Sequence, residues 1–452
     1  MIDATYDWPA AGQAWFDLPE SVRAGMVAAG AENWAEIFHG RATYNKQWRM
    51  ARPPVLAAES YRVMVGVVDR LAQLLLEAAQ RRARTAGELA GLLGVDPVGT
   101  RMLPTDEPLG AHLLAAVRPD VLLSNGVPRV VEFNIDSSIG GVLDADTVLD
   151  RFTRVYRERG LLDAVPMGPA PSAMDTRFAA IRSTLGLPEG AVVPLLLDFE
   201  ADYPGLDDPD LMRRVLAPVT ERAARFGLVM PIEAVTSVSL ADDGGPLVAG
   251  RPVDGVFRLF VLNRVTRGPG LDALETLVLS GRLPAFTSGA AWLLGNKQLL
   301  AWLWSDLDGL DANDRAIVRR HLPRTELLTA DRYEDAVAGQ HDLVSKPADG
   351  SAGVDVVIGR ESDADTWREA LRRGVDRGGY ILQEYAHADV VPMDFVHIET
   401  GETVTEEVPY SIAPYLFGRE LANACVRSGF PGCEGVLNLS RGVLLSGVML
   451  VD

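Results

Sequence analysis

Residues 118–141 read RPDVLLSNGVPRVVEFNIDSSIGG. Two short strands frame a turn. Val121, Leu122 and Leu123 make the first, and Val130, Val131 and Phe133 make the second. Asn125-Gly126 between them is a strong hairpin signal, because both residues tolerate positive φ. Arg118 and Asp120 lie two apart, as do Glu132 and Asn134. Alternate residues of a strand share a face, so each pair is expected to point to one side. Asp120, Glu132 and Asn134 then offer oxygen ligands from adjacent strands, with Arg118 beside them. Hard oxygen donors without thiolate or imidazole suit magnesium, which is held by a few carboxylates plus substrate phosphates. The same residues also read as solvated strand ends with a surface Arg–Asp pair. Ser137, Ser138, Gly140 and Gly141 follow at once, as expected where backbone approaches a ligand closely.

The chain has 452 residues, 48% of them hydrophobic and 23% charged, an ordinary globular balance with material for more than one core. The formal net charge is −19, from 62 acidic and 43 basic residues. So acidic a surface argues against non-specific nucleic-acid binding and against an anionic membrane surface, yet leaves room for a nucleotide in a local basic cleft. Only two cysteines occur, Cys425 and Cys433, without a CxxC pair, so a reduced, cytoplasmic protein is expected. Met1 is followed by Ile2 and Asp3, with no basic stretch, so no signal peptide is expected. The best apolar helix, over 61–80, carries Arg62, Asp69 and Arg70, which makes it amphipathic rather than membrane-spanning.

Along the chain, residues 1–115 read mainly as helix, with a helix start at Asp17-Leu18-Pro19-Glu20. After the hairpin a helix is expected over 144–160, and Pro166, Gly168, Pro169 and Pro171 mark a domain edge. Residues 192–197, VVPLLL, read as a strand buried on both faces, although Pro194 allows an edge instead. With 228–235 and 252–261 they suggest a small layer of parallel strands. Arg258 at its end faces either a cleft or solvent.

Three later features carry chemistry. Lys346-Pro347-Ala348-Asp349-Gly350-Ser351-Ala352-Gly353 joins two expected strands, and such a loop either cradles phosphate oxygens beside a lysine or is a plain hairpin. It is not a Walker A sequence. Lys297 opens a helix, either converging on the same phosphates or facing solvent. The strand Ile381-Leu382-Gln383-Glu384-Tyr385 is apolar and then polar, so its end either meets an adenine edge or simply leaves the core.

Taken together these motifs resemble the ATP-grasp superfamily, in the circularly permuted order of the glutathionylspermidine synthetase-like proteins. In the usual order the lysines and the adenine hinge precede the metal-binding E-x-N. Here Arg118-x-Asp120 and Glu132-x-Asn134 come first, and Lys297, Lys346 and Gln383-Glu384 come later. The resemblance covers roughly residues 115–452. It implies an α/β (α+β) fold, with the ATP-grasp parts in permuted order after a helical N-terminal segment over 1–115. The parts expected are a metal-binding hairpin and helix over 116–165, a small substrate-side α/β domain over 166–290, a nucleotide-binding lobe over 291–390, and the rest of the core over 391–452. No amidase-like half is present, so only the synthetase part of that family is expected.

Carried over by position, the resemblance implies that Asp120, Glu132 and Asn134 hold Mg2+. Arg118 would stabilise charge on the transferred phosphoryl group or the acyl phosphate, and Arg427 is a second catalytic candidate. Lys297, Lys346 and the loop residues Asp349, Gly350, Ser351, Ala352 and Gly353 would hold the ATP phosphates. Gln383, Glu384 and Tyr385 would face adenine. The loop departs from the family pattern in keeping only Gly350 and Gly353. The implied activity is ATP-dependent ligation of a small-molecule carboxylate to an amine through an acyl phosphate, on an amino acid or short peptide, with a place in natural-product biosynthesis left open. A small-molecule kinase on the same nucleotide site and a silent nucleotide-binding protein are the alternatives. Arg258, Arg264 and Arg427 are candidates to grip a substrate carboxylate bidentately. A homodimer is compatible with this reading, and no nucleic-acid or membrane partner is expected.

Overall fold

The structure is a computed structural model, and it describes residues 5–38, 45–97, 99–202, 209–262, 264–350, 353–433, 437 and 442–452. The hairpin forms as expected, over longer spans: Ala116–Ser124 pairs antiparallel with Val127–Ile135. Asn125 and Gly126 sit at φ 52° and 75°, the two positive values such a turn demands. Asp389 accepts the amides of both, at 2.8 and 2.7 Å, and so pins the turn to a distant part of the chain.

That distant part completes the sheet. Thr403–Phe417 pairs with the first hairpin strand, with Val390–His397 and with Glu420–Ser428, and Leu444–Ser446 follows at one edge. The other edge is Trp48–Met50, paired with Val390–His397. Val55–Ala57 likewise pairs with Met449–Val451. The segment before the hairpin is therefore not purely helical. Its helices, including Glu20–Glu32, Ala58–Gln80 and Ala86–Leu92, are interrupted by two short strands whose partners lie far downstream. Ala58–Gln80 turns Met64, Val68, Leu71 and Leu75 into the largest core, and no helix among the described residues is long and apolar enough to cross a membrane.

A second sheet of four antiparallel strands runs Thr325–Leu327, Tyr380–Glu384, Leu343–Pro347, Val357–Ile358. It has its own small core around Trp367, Leu371, Tyr380 and Leu382, supplied partly by the helix Ala364–Arg377. A third sheet holds Ala285–Phe286, Val256–Arg258, Leu195–Leu197 and Ile232–Ala234, all parallel. Here the expected single strand over 192–197 breaks at Pro194, which lacks the amide a continuous ladder needs. Ala191–Val192 pairs with Leu228–Val229 in a separate ribbon, and Leu195–Leu197 becomes an interior strand rather than an edge. Leu195 and Leu197 enter one core and Leu196 another, which explains why the run is apolar throughout.

Candidate active site

The hairpin register sets Arg118 opposite Asn134 and Asp120 opposite Glu132. The next pair is Val121 with Val130, so Val131 is an extra, bulged residue. Arg427 arrives on Glu420–Ser428, where it lies across from Ser411, which in turn faces Leu122. Its Nη1 donates to Asp120 Oδ2 at 2.9 Å, and Arg118 Nη2 stands 3.6 Å from Asp120 Oδ1. Burial pushes the Asp120 carboxyl up, but Arg427, Arg118 and Lys297 outweigh it and hold the group below its ordinary value. The same contact raises Arg427, chiefly through the charge of Asp120. The two residues therefore stay ionised at any physiological pH.

The lysines come to this face from the later half of the chain. The short helical turn Ala291–Gly295 packs so closely on the hairpin that a Cβ at Gly295 would lie 3.0 Å from the Phe133 carbonyl oxygen. Lys297 follows at the N-cap of Gln298–Ser305 and is only 4% exposed, against the solvent-facing alternative. Its Nζ donates to the Gly350 carbonyl at 2.7 Å and stands 3.5 Å from Glu132 Oε2. Lys346, on the second sheet, donates to Gln383 Oε1 at 2.7 Å and reaches the bulged Val131 carbonyl at 3.4 Å. Burial lowers its pKa to about 8, with the charge of Lys297 acting in the same direction and those of Glu132 and Asp120 against it. Gln383 Nε2 donates on to Thr325 Oγ1 at 3.0 Å, which fixes the side chain as an acceptor for the lysine.

The remaining predicted residues divide. Asp349 and Gly350 line the cleft, and Gly353 sits at φ 74° beyond them. Ser351 and Ala352 lie outside the described residues. Glu384 is exposed and pairs with Arg129 at 3.1 Å, and Tyr385 lies under the Arg360 guanidinium at 4.0 Å. The amides of Glu384 and Tyr385 donate to the Arg324 and Asp342 carbonyls, so the strand end has already used two of the donors an adenine edge would need.

Arg118, Glu132, Asn134 and Lys297 open on a cleft of about 530 Å³. Its other walls are Thr100 and Arg101, then Val261, Leu262, Arg264, Val265 and Arg267, then Trp292, and the turn after the second hairpin strand. Arg264 stands on this wall as a carboxylate candidate, but Arg258 does not. Arg258 is fully buried, pairs through both terminal nitrogens with Asp136, and donates to the Phe260 carbonyl at 2.7 Å. Asp136 is a site residue that the sequence reading missed. Its signal was available, since Asp136 continues the every-second-residue spacing of Glu132 and Asn134 one residue past the strand's end.

The hairpin donors suit a magnesium ion. Asp120 Oδ1 is a buried acceptor without a hydrogen bond, Glu132 and Asn134 both line the cleft, and the Asn134 amide nitrogen already donates to the Arg118 carbonyl at 3.3 Å. That leaves the Asn134 oxygen as a donor to a cation. Among the described residues no group of three or more His, Cys, Asp or Glu side chains could hold a metal.

No protein-family model matches the sequence, and no curated protein matches it. Solved structures do match. A glutathione synthetase-like effector from Globodera pallida, in its apo form, superposes with a TM-score of 0.56 at 12% identity, covering 98% of this chain and 100% of that one. A Methylobacillus flagellatus protein assigned as a gamma-glutamylcysteine synthetase gives 0.43 at 13% identity, over 89% of this chain and 90% of that one. The D-alanyl-alanine synthetase A of Vibrio cholerae gives 0.29 at 12% identity, over 59% and 90%. The first of these establishes a likeness of fold along nearly the whole chain.

Proposed function

We propose that the protein is an ATP-dependent carboxylate–amine ligase of the ATP-grasp type, with its parts in permuted order. One observation carries this reading. Lys297 and Lys346, on elements more than 150 residues downstream, converge on adjacent residues of one hairpin strand, Lys297 on Glu132 in the cleft wall and Lys346 on the bulged Val131 beside it. The likeness of fold to a glutathione synthetase-like protein supports it.

A carboxylate is a poor acyl donor because its oxygen is a poor leaving group. Phosphorylation by ATP makes an acyl phosphate, and an amine then displaces phosphate to give an amide. Positioning and charge neutralisation are what the protein must supply to phosphoryl transfer. Lys297 and Lys346 would hold phosphate oxygens, and Arg118 and Arg427 would face the charge that develops on the transferred group. Asp120, Glu132 and Asn134 would hold magnesium, which when bound neutralises phosphate charge and orients the terminal phosphoryl group. Asp120 serves a second purpose, since it fixes both arginines through its two oxygens. Gln383 would hold Lys346 in place rather than touch adenine. Arg264 would meet the substrate carboxylate.

The test is an ADP-release assay with a panel of amino acids and dipeptides as carboxylates, with and without added amine. Release that needs both partners and yields an amide supports the ligase. Phosphorylated product formed without amine would instead make the protein a kinase.

A further inference from the structure

Buried arginines normally sit against a carboxylate, because an uncompensated charge in the interior is costly. Two of them do so here: Arg258 on Asp136, and Arg52 on Asp394 at 2.6 Å. Arg177, in the helix Ala173–Thr184, does not. It is 6% exposed, forms no ion pair among the described residues, and leaves its Nε without an acceptor. Its guanidinium lies over the rings of Phe417 and Phe257, 4.6 and 5.4 Å from their centroids. Its Nη2 donates to the Ile139 carbonyl at 2.9 Å. Burial lowers its pKa to about 10, so the group is still charged at neutral pH.

Ile139 belongs to the turn over 136–141 that forms one wall of the cleft. Each part of this turn is held from outside. Asp136 is gripped by Arg258, and its oxygens accept the Ser137 amide and the Ser138 hydroxyl at 2.7 Å each. The Gly140 carbonyl accepts from Tyr415 at 2.7 Å and from Arg118 at 3.2 Å. The Ile139 and Gly140 carbonyls are thus turned onto cations and a hydroxyl. Gly140 itself faces open space, and no positive φ requires glycine there, so its missing side chain leaves room for a ligand.

We infer that Arg177 is a positioning residue kept for binding at the expense of stability. It fixes the Ile139 carbonyl away from the cleft and places a permanent positive charge behind the turn that an anionic oxygen would meet. The anion is either the substrate carboxylate or a terminal phosphoryl oxygen. The inference rests on the ligase reading for its chemistry.

The experiment compares wild type with Arg177→Met and Arg177→Lys. Thermal unfolding is measured without ligands, and KM and kcat are measured for ATP and for the carboxylate in the amine-dependent ADP-release assay. Arg177→Met is expected to unfold at an equal or higher temperature, since it removes a buried charge that forms no direct ion pair and feels Asp146 less strongly than its own burial. Its KM for one anionic substrate should rise at least tenfold, with a smaller change in kcat. A rise confined to the carboxylate, or confined to ATP, identifies which anion the turn holds. Arg177→Lys keeps the charge and loses the fork, and should recover part of the KM while remaining folded. An unchanged KM for both substrates, or a lower unfolding temperature with every kinetic constant falling together, would overturn the inference. If wild-type protein releases no ADP with any pair, the ligase reading fails first. Binding of inorganic phosphate and of acetate, measured by calorimetry on the same variants, then decides the role of Arg177: weaker binding of either to Arg177→Met upholds it, and equal binding of both ends it.

Discussion

Lys297 and Lys346 both reach the second strand of the hairpin, yet they are charged in different company. Lys297 has a carboxylate, Glu132, and also ties down the Gly350 carbonyl. Lys346 has only neutral acceptors, the Gln383 amide oxygen and the Val131 carbonyl, and burial takes its pKa down to about 8. The first lysine is paid in the resting protein by its own ion pair. The second has no ion pair of its own, and the charges of Glu132 and Asp120, which favour its proton, do not outweigh its burial. Reaching one strand thus does not give two lysines one set of contacts: Lys297 ties the hairpin to the loop at Gly350, and Lys346 ties it to Gln383 of the second sheet.

The largest effects expected are those that remove a charge from the shared point. Glu132→Ala or Lys346→Ala should lower amide-forming turnover by on the order of 10²–10³ or more, while circular dichroism and unfolding show a folded chain. Retained turnover in either variant would break the assignment of both residues to the reaction.

Acidity probes Lys346 more finely. Around Lys346 the charged groups are Glu132, Lys297 and Asp120. Free lysine titrates at 10.5 and the folded group at about 8, so between these values the unfolded chain binds the proton more readily. Stability contributed by this residue therefore rises as pH climbs through that window. Nucleotide affinity should move the other way, because the neutral amine no longer attracts phosphate. ADP titrations by calorimetry from pH 7 to 9 should show Kd weakening beyond pH 8, with proton uptake on binding. Lys346→Arg, always charged, should flatten the profile. An equally steep profile in that variant would move the effect to another group.

Lys297→Met should show the structural half of the comparison. It leaves Glu132 without its cation and Gly350 without its donor, at a cost of about 1–3 kcal/mol in denaturant unfolding. Lys346→Met relieves a buried charge and orphans Gln383, so these terms oppose each other and the midpoint should shift less. Equal losses in the two variants would remove the distinction drawn above.

The hairpin was legible because its instructions are local. Asn125-Gly126 fixes the turn, alternation fixes the faces, and the face gives Arg118, Asp120, Glu132 and Asn134 in one reading. Trp48–Met50 and Val55–Ala57 were not legible. Each is three residues long and becomes a strand only by pairing with Val390–His397 or Met449–Val451. The break at Pro194 was half readable, since the missing amide was visible but the two partners were not. Arg258 and Arg177 show the same limit at the site. An arginine on a strand and one on a helix look alike in sequence, and only the fold gives one of them Asp136 and withholds a carboxylate from the other.

The far side of the hairpin provides a control on all of this. His321 is 1% exposed, and its Nδ1 lies 2.9 Å from the Pro128 carbonyl, which can only accept, so Nδ1 carries the proton. Its ring meets Trp8 edge-on at 5.8 Å. Burial lowers its pKa from 6.5 to about 4, with Arg320 and Arg129 adding to the fall. Between these values the unfolded chain takes up the proton first, so stability is present above pH 6.5 and drains away as pH falls towards 4. His321→Gln keeps a donor for Pro128 without a titrating ring. It should flatten this acid limb of a denaturant series by about 1–3 kcal/mol, and turnover at neutral pH should stay within about twofold. A larger fall in turnover would mean that the back of the hairpin sets the register of Glu132 and Asn134 as strongly as the lysines do from the front.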